Sequence, residues 1–165
     1  MKKLTLIDSI KEESMKSKSI IYAAAAGALG TLAMTIPMLI GMKTGVAPMP
    51  EPIPRAIVGE LLPVSGAALM LVAMISHFAY GALWAVLADQ CLPSFNVWTG
   101  LCLGAFLWAI MQLVVLPLIG WGFFGMNHTP AIAVATLVLH LVYGASAGIA
   151  AQNLRRGQEA DSISN

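Results

Sequence analysis

Residues 90–154 read QCLPSFNVWTGLCLGAFLWAIMQLVVLPLIGWGFFGMNHTPAIAVATLVLHLVYGASAGIAAQNL, 65 residues without one Asp, Glu, Lys or Arg. A soluble domain carries about 25% charged residues, so a run of this length has no solvated face to offer water. The whole 165-residue chain is 58% hydrophobic and 10% charged, with a mean hydropathy of +0.80. That balance excludes an ordinary globular enzyme, a nucleic-acid binder and a disordered segment. The sequence is that of an integral membrane protein.

Working outward, windows of about 20 apolar residues mark membrane-spanning helices. Four fit, at 20–41, 64–88, 97–121 and 131–152, and none shows the period-2 alternation of a barrel strand. The expected fold is therefore all-α, with four transmembrane helices. A cytoplasmic arm (1–19) precedes the membrane domain (20–152), and a cytoplasmic tail (153–165) follows it. The remaining charges are sorted by side. Lys2, Lys3, Lys11, Lys16 and Lys18 lie in the arm and Arg155 and Arg156 in the tail, against Lys43 and Arg55 in the first connection. With an even number of spans, the positive-inside bias puts both termini in the cytoplasm. The arm is too long and too acidic for a cleaved signal peptide. Leu6, Ile7, Ile10 and Met15 make either a weak interfacial stripe or part of a solvated arm.

The second span contains His77-Phe78-Ala79-Tyr80-Gly81-Ala82 and the fourth His140-Leu141-Val142-Tyr143-Gly144-Ala145, a shared His-x-x-Tyr-Gly-Ala at an offset of 63. Pro-Met-Leu-Ile-Gly (37–41) resembles Pro-Leu-Ile-Gly (117–120) in the odd spans. This predicts a tandem duplication of a two-helix unit, the halves related by a pseudo-two-fold axis along the membrane normal. The outer connections differ. Residues 42–63 carry Pro48, Pro50, Pro52, Pro54 and Pro63, a pattern that opposes helix and favours an extended path. A short interfacial turn is expected within 55–62, and the loop reads as a rigid connector or as an outer lid.

Helices in lipid associate through small residues. Gly100-x-x-x-Gly104 and Gly144-x-x-x-Gly148 are full motifs, and Gly81-x-x-x-Ala85 and Ala26-x-x-x-Gly30 are weaker ones. His77 with Gly81, and His140 with Gly144, share a helix face, so both histidines are expected inside the bundle. The second and fourth helices are expected to form the central pair. Pro37 and Pro117 are expected to kink their helices. Trp98 and Trp121 read as interfacial anchors, Trp84 and Trp108 as packing residues, and Cys91 and Cys102 as buried small residues. Asn127 or Thr129 should cap the fourth helix, with Pro130 in its first turn and His128 exposed.

An ionisable residue inside a span is a functional candidate. The polar residues within the spans that qualify are His77, Tyr80, His140, Tyr143 and Gln112. Three readings stand side by side. Each imidazole could bond a carbonyl, a hydroxyl or Gln112 in an adjacent helix and fix register. The two histidines could be axial ligands of one haem b. Or they could line a polar path for a small solute or cation. Two histidines are too few for a closed zinc site. No nucleophile–base–acid grouping, phosphate loop or paired intramembrane carboxylate is present, which argues against an enzyme.

The run Gly30-Thr31-Leu32-Ala33-Met34-Thr35, the two His-x-x-Tyr-Gly segments and Leu116-Pro117-Leu118-Ile119-Gly120-Trp121-Gly122 resemble small bacterial four-helix membrane proteins of unknown function, of the YagU-like kind. The resemblance covers about residues 20–152. It implies a multi-pass protein of the bacterial inner membrane and carries over no catalytic residue. The expectation is a non-enzymatic structural or interaction protein in the lipid bilayer, alone, as a homo-oligomer or with another membrane protein. A small transporter is the alternative.

Overall fold

The computed structural model describes residues 6–164, with side chains over 15–157 and at Ser9 and Glu13. Among them every regular element is helical. Helix α1 (Leu6–Thr44) is followed by the short α2 (Ile53–Leu61) and by α3 (Gly66–Cys91). Then α4 (Val97–Ile110) passes through a π-helical turn (Met111–Val115) into α5 (Leu116–Leu118), and α6 (Ala131–Ser164) completes the chain. Four stretches are long and apolar enough to cross a membrane: Met15–Thr44, Gly66–Cys91, Val97–Leu118 and Ala131–Gly157. Met15 is exposed, and the side chains of Leu6, Ile7 and Ile10 lie outside the described residues.

Helix starts follow local chemistry. The Asn96 side chain accepts from Trp98 N (2.9 Å) and Thr99 N (3.2 Å), and the Thr99 hydroxyl accepts from Asn96 N (2.8 Å). This reciprocal cap opens α4. At α6 the cap is Thr129, whose hydroxyl accepts from Ala131 N at 3.3 Å. Asn127 has another task, donating to the Gly120 carbonyl at 2.9 Å. That bond closes a turn in which Gly120, Gly122, Gly125 and Phe124 all have positive φ, a conformation that glycine adopts without strain.

The arrangement of helices corrects one expectation. Helix α1 packs against both α3 and α6, and α6 packs against α4. The central pair is thus the first and fourth spans rather than the second and fourth. The reason lies in α1's small residues. A Cβ on Gly27 would strike the Gly81 carbonyl and Ala85 of α3, while one on Gly30 would strike Tyr143 and Ala147 of α6. Two glycines three residues apart give α1 two close faces, so it wedges between its neighbours. The two full motifs face each other across α4 and α6: Gly100 lies against Gly144, Gly104 against the His140 carbonyl, and Gly148 against Asn96.

Other expectations also change. Residues 53–61 form a helix despite the prolines, because Pro52 and Pro54 sit at its N-cap and first turn, where a missing N–H costs nothing. Trp121 is buried rather than interfacial, packed with Met49, Ile53 and Ile132, whereas Trp98 is exposed. Cys91 and Cys102 are exposed, not buried, because the buried small-residue positions on their helices belong to the glycines and alanines of the seams.

The half of the bundle nearest the termini is solidly packed around Ala26, Ala85, Ala88, Phe95, Ala147 and Ala151. There Asp89 of α3, 3% exposed, pairs with Arg155 of α6 and accepts from the Ser19 hydroxyl of α1 at 2.8 Å. One carboxylate ties three helices at that end.

Candidate functional site

In the other half the helices part. The rings of Trp84 on α3 and Phe106 on α4 meet edge to face at 5.8 Å, and Tyr80 stands against Trp84 at 6.1 Å. Beyond this aromatic contact lies a cavity of about 390 Å³. Its inner end is Thr31, Gly81 and Tyr143, its walls are α1, α3, the π-helical turn and α6, and its outer side is α2.

The inner end is a fixed structure. Tyr143, 2% exposed, donates its hydroxyl to the Gly81 carbonyl at 2.6 Å. Any Cβ on Gly81 would strike Thr31 and Tyr143, which is why a glycine stands there. Thr31 is itself satisfied by donating to Gly27 O at 2.9 Å.

The outer side is α2, an amphipathic helix anchored on two sides. Val58 packs with Leu69 and Ala73 of α3. Ile53 and Ala56 pack with Met111, Leu116, Trp121 and Ile132. Its remaining residues Pro54, Ile57, Glu60 and Leu61 reach the cavity, and a Glu51–Arg55 pair at 3.2 Å braces its start. The proline-rich segment therefore covers the cavity, and the helical period of its apolar residues was the sequence signal for it.

Four of the five candidate polar residues line this one cavity: His77, Tyr80, His140 and Tyr143, with Gly81 among them. Gln112 does not. It is wholly buried in the π-helical turn behind Met111, donating to the Thr136 hydroxyl at 2.8 Å, while its Oε1 has no hydrogen-bond partner. Gly100, Gly104, Gly144 and Gly148 form the α4–α6 seam away from the cavity.

The expected bonds from the histidines to adjacent helices are not made. His140 Nδ1 donates to the Thr136 carbonyl of its own helix at 2.8 Å. A carbonyl can only accept, so Nδ1 carries the proton, and in the neutral ring Nε2 is an acceptor. His77 Nε2 is buried with no hydrogen-bond partner. Buried polar groups are nearly always paired, and an exception calls for an explanation. The wall around these nitrogens is apolar, with the thioethers of Met34, Met38, Met49 and Met111 prominent. Among the described residues no Lys or Arg lines the cavity, and Glu60 is its sole carboxylate. Sequence reading passed over these methionines, although Met34 and Met38 share a helix face at i, i+4 spacing.

The opening is marked by lining residues that also reach the surface. Leu61 is 73% exposed, Leu118 78% and Tyr80 44%. They sit on α2, α5 and α3, so the cavity opens sideways through the gap between α3 and α5.

The chain belongs to the family of unknown function DUF6789, whose sequence profile matches residues 17–162. It is an uncharacterised family, as the resemblance implied. No curated protein and no solved structure matches the chain.

Proposed function

Since membership of a family of unknown function brings no activity with it, we propose from the cavity itself that this multi-pass membrane protein binds a small molecule between its helices. The observation that carries this reading is an open, largely apolar cavity that gathers His77, Tyr80, His140 and Tyr143 in its wall. A dry, fully packed centre would favour a purely structural role. The packed half of the bundle is of that kind, and the half holding the histidines is not. The reading therefore moves from a structural protein to a binding protein or carrier, without catalysis. In orientation, the basic arm and tail favour both termini in the cytoplasm of a bacterial inner membrane, with α2 covering the cavity from outside. The two His-x-x-Tyr-Gly segments derive from a tandem duplication, with the halves made unequal by their use: Tyr143 seals the inner end while Tyr80 stands at the opening.

The test is extraction of the protein purified in native-membrane nanodiscs, with mass spectrometry of what is released. Wild type is expected to release a small molecule in stoichiometric amount, and Ser76→Phe, which fills the wall of the cavity, is expected to release almost none. Equal release from both, or none from either, would overturn the binding reading.

A second reading has its own observation. A metal-ligating histidine commonly donates its other ring N–H to a carbonyl, as His140 does to Thr136, and His77 offers an unengaged Nε2 in the same cavity. Were haem b bound in this cavity, His77 and His140 are the residues that would hold its iron. A Soret band in protein from haem-supplied cells, lost in both His77→Leu and His140→Leu, would establish it, and a colourless preparation would dismiss it.

A further inference from the structure

Resting on the binding reading, we infer that the cavity selects a membrane-soluble molecule with an apolar body and a single uncharged hydroxyl head, admitted from the bilayer between α3 and α5. Three independent features lead there. First, most of the rim is apolar. Leu61, Leu118 and Tyr80 are both cavity wall and outer surface, with Glu60 beside Leu61 the one charged group there, so the side between α3 and α5 suits entry from lipid.

Second, the charge around the cavity rejects anions. Among the described residues no Lys or Arg lines it, and Glu60 stands on the covering helix at its mouth. A phosphate or carboxylate head would be desolvated beside a carboxylate with no cation to meet it, which is prohibitive in an apolar wall. Fatty acids and phospholipids are thereby disfavoured.

Third, the hydrogen-bonding demand is neutral and is set by His140. His140 Nε2 is an acceptor, because Nδ1 is committed to the Thr136 carbonyl. His77 Nε2 is buried and unpartnered. Of the other polar groups on the wall, Thr31 is engaged with Gly27, Tyr143 with Gly81, Thr136 with Ile132 and Ser76 with Ala73, which leaves Tyr80 and Glu60 at the mouth. A hydroxyl donates its single proton to the His140 nitrogen. A carbonyl or an ether can only accept and so leaves His140 unmet. The rest of the wall, dominated by methionine thioethers and aliphatic side chains, moulds to apolar chains of varied shape.

The test uses three photoreactive diazirine probes with one long alkyl chain and different heads: the alcohol, its methyl ether and the carboxylic acid. The full-length protein is held in nanodiscs of phosphatidylethanolamine and phosphatidylglycerol, and labelled peptides are mapped. The alcohol is expected to label segments containing Met34, Met38 or Met111 about tenfold more than the ether, the worth of one hydrogen bond to a buried group. The acid is expected to label them least. His140→Leu should bring the alcohol toward the level of the ether and leave ether labelling unchanged, which also shows that this variant retains the cavity. Ether labelling equal to the alcohol, or preference for the acid, overturns the hydroxyl inference while leaving the cavity a binding site. Absence of cavity labelling by all three probes overturns both.

Discussion

His77 and Tyr143 sit in equivalent sequence motifs yet stand in opposite energetic positions. Tyr143 is buried with its hydroxyl bonded to Gly81 O, so Tyr143→Phe strands a carbonyl and should cost about 0.5–1.5 kcal/mol. His77 Nε2 makes no such bond, so His77→Leu removes an unsatisfied group and should leave stability unchanged within about 0.5 kcal/mol. Thermal unfolding of both variants in one detergent gives the comparison, and a large loss for His77→Leu would contradict it. Asp89 is a second case. Its carboxylate is 3% exposed and neutralised by Arg155, so Arg155→Ala should cost about 1–3 kcal/mol by leaving a buried charge unpaired. Adding Asp89→Asn to that variant should restore part of the loss, and an additive double variant would show that the two residues do not interact. At this scale the sequence marked His77, Tyr80, His140 and Tyr143 as the residues to watch, because polar groups in a span are few. It did not show which nitrogens would be engaged: His140 Nδ1 meets the Thr136 carbonyl one turn before it, and His77 Nε2 meets nothing.

At the level of elements, the seam between α4 and α6 is a contact of backbone on backbone. A Cβ on Gly144 would meet the Gly100 carbonyl, and one on Gly100 would meet Gly144. Backbone cannot give way as a side-chain tip can. Gly144→Ala should therefore destabilise by about 1–3 kcal/mol and Gly144→Leu should prevent folding, measured as loss of monodisperse protein on size-exclusion chromatography. By contrast, Gly157→Ala meets nothing within 4 Å and should be silent. The glycine motifs were legible from spacing alone, but their partners were not. Gly27 lay outside the quoted motifs, and it is Gly27 and Gly30 together that give α1 its two faces. The covering segment was half legible: five prolines argued for an extended path with only a short turn within 55–62, whereas Ile53, Ala56 and Ile57 have the helical period of α2. Proline costs nothing at a helix start, so the periodicity won.

For the molecule as a whole, the proposed orientation has a direct check in intact cells. Val46, 79% exposed, lies beyond the end of α1 on the side opposite the termini, so Val46→Cys should react with a membrane-impermeant maleimide. The native Cys91, exposed at the terminal end of α3, should react only after permeabilisation. The reverse pattern would invert the topology. The four-span architecture was legible because a chain with 65 consecutive uncharged residues has few other options. The unequal closure of the bundle was not, since near-identical motifs in the two halves gave no hint that one inter-helix seam would close and the other open.

That inequality has a mechanical reading. The end holding Ser19, Asp89 and Arg155 is pinned by charge and packed by alanines, whereas the far ends of α3 and α4 are bridged by a short helix that touches both sides. A bundle clamped at one end behaves as a pair of tongs. On the binding reading, widening its gap is a small rotation about the Asp89 rivet, which leaves the packed end closed. Such a device would take up and release its ligand at one end only, and passage through it would require the rivet itself to break.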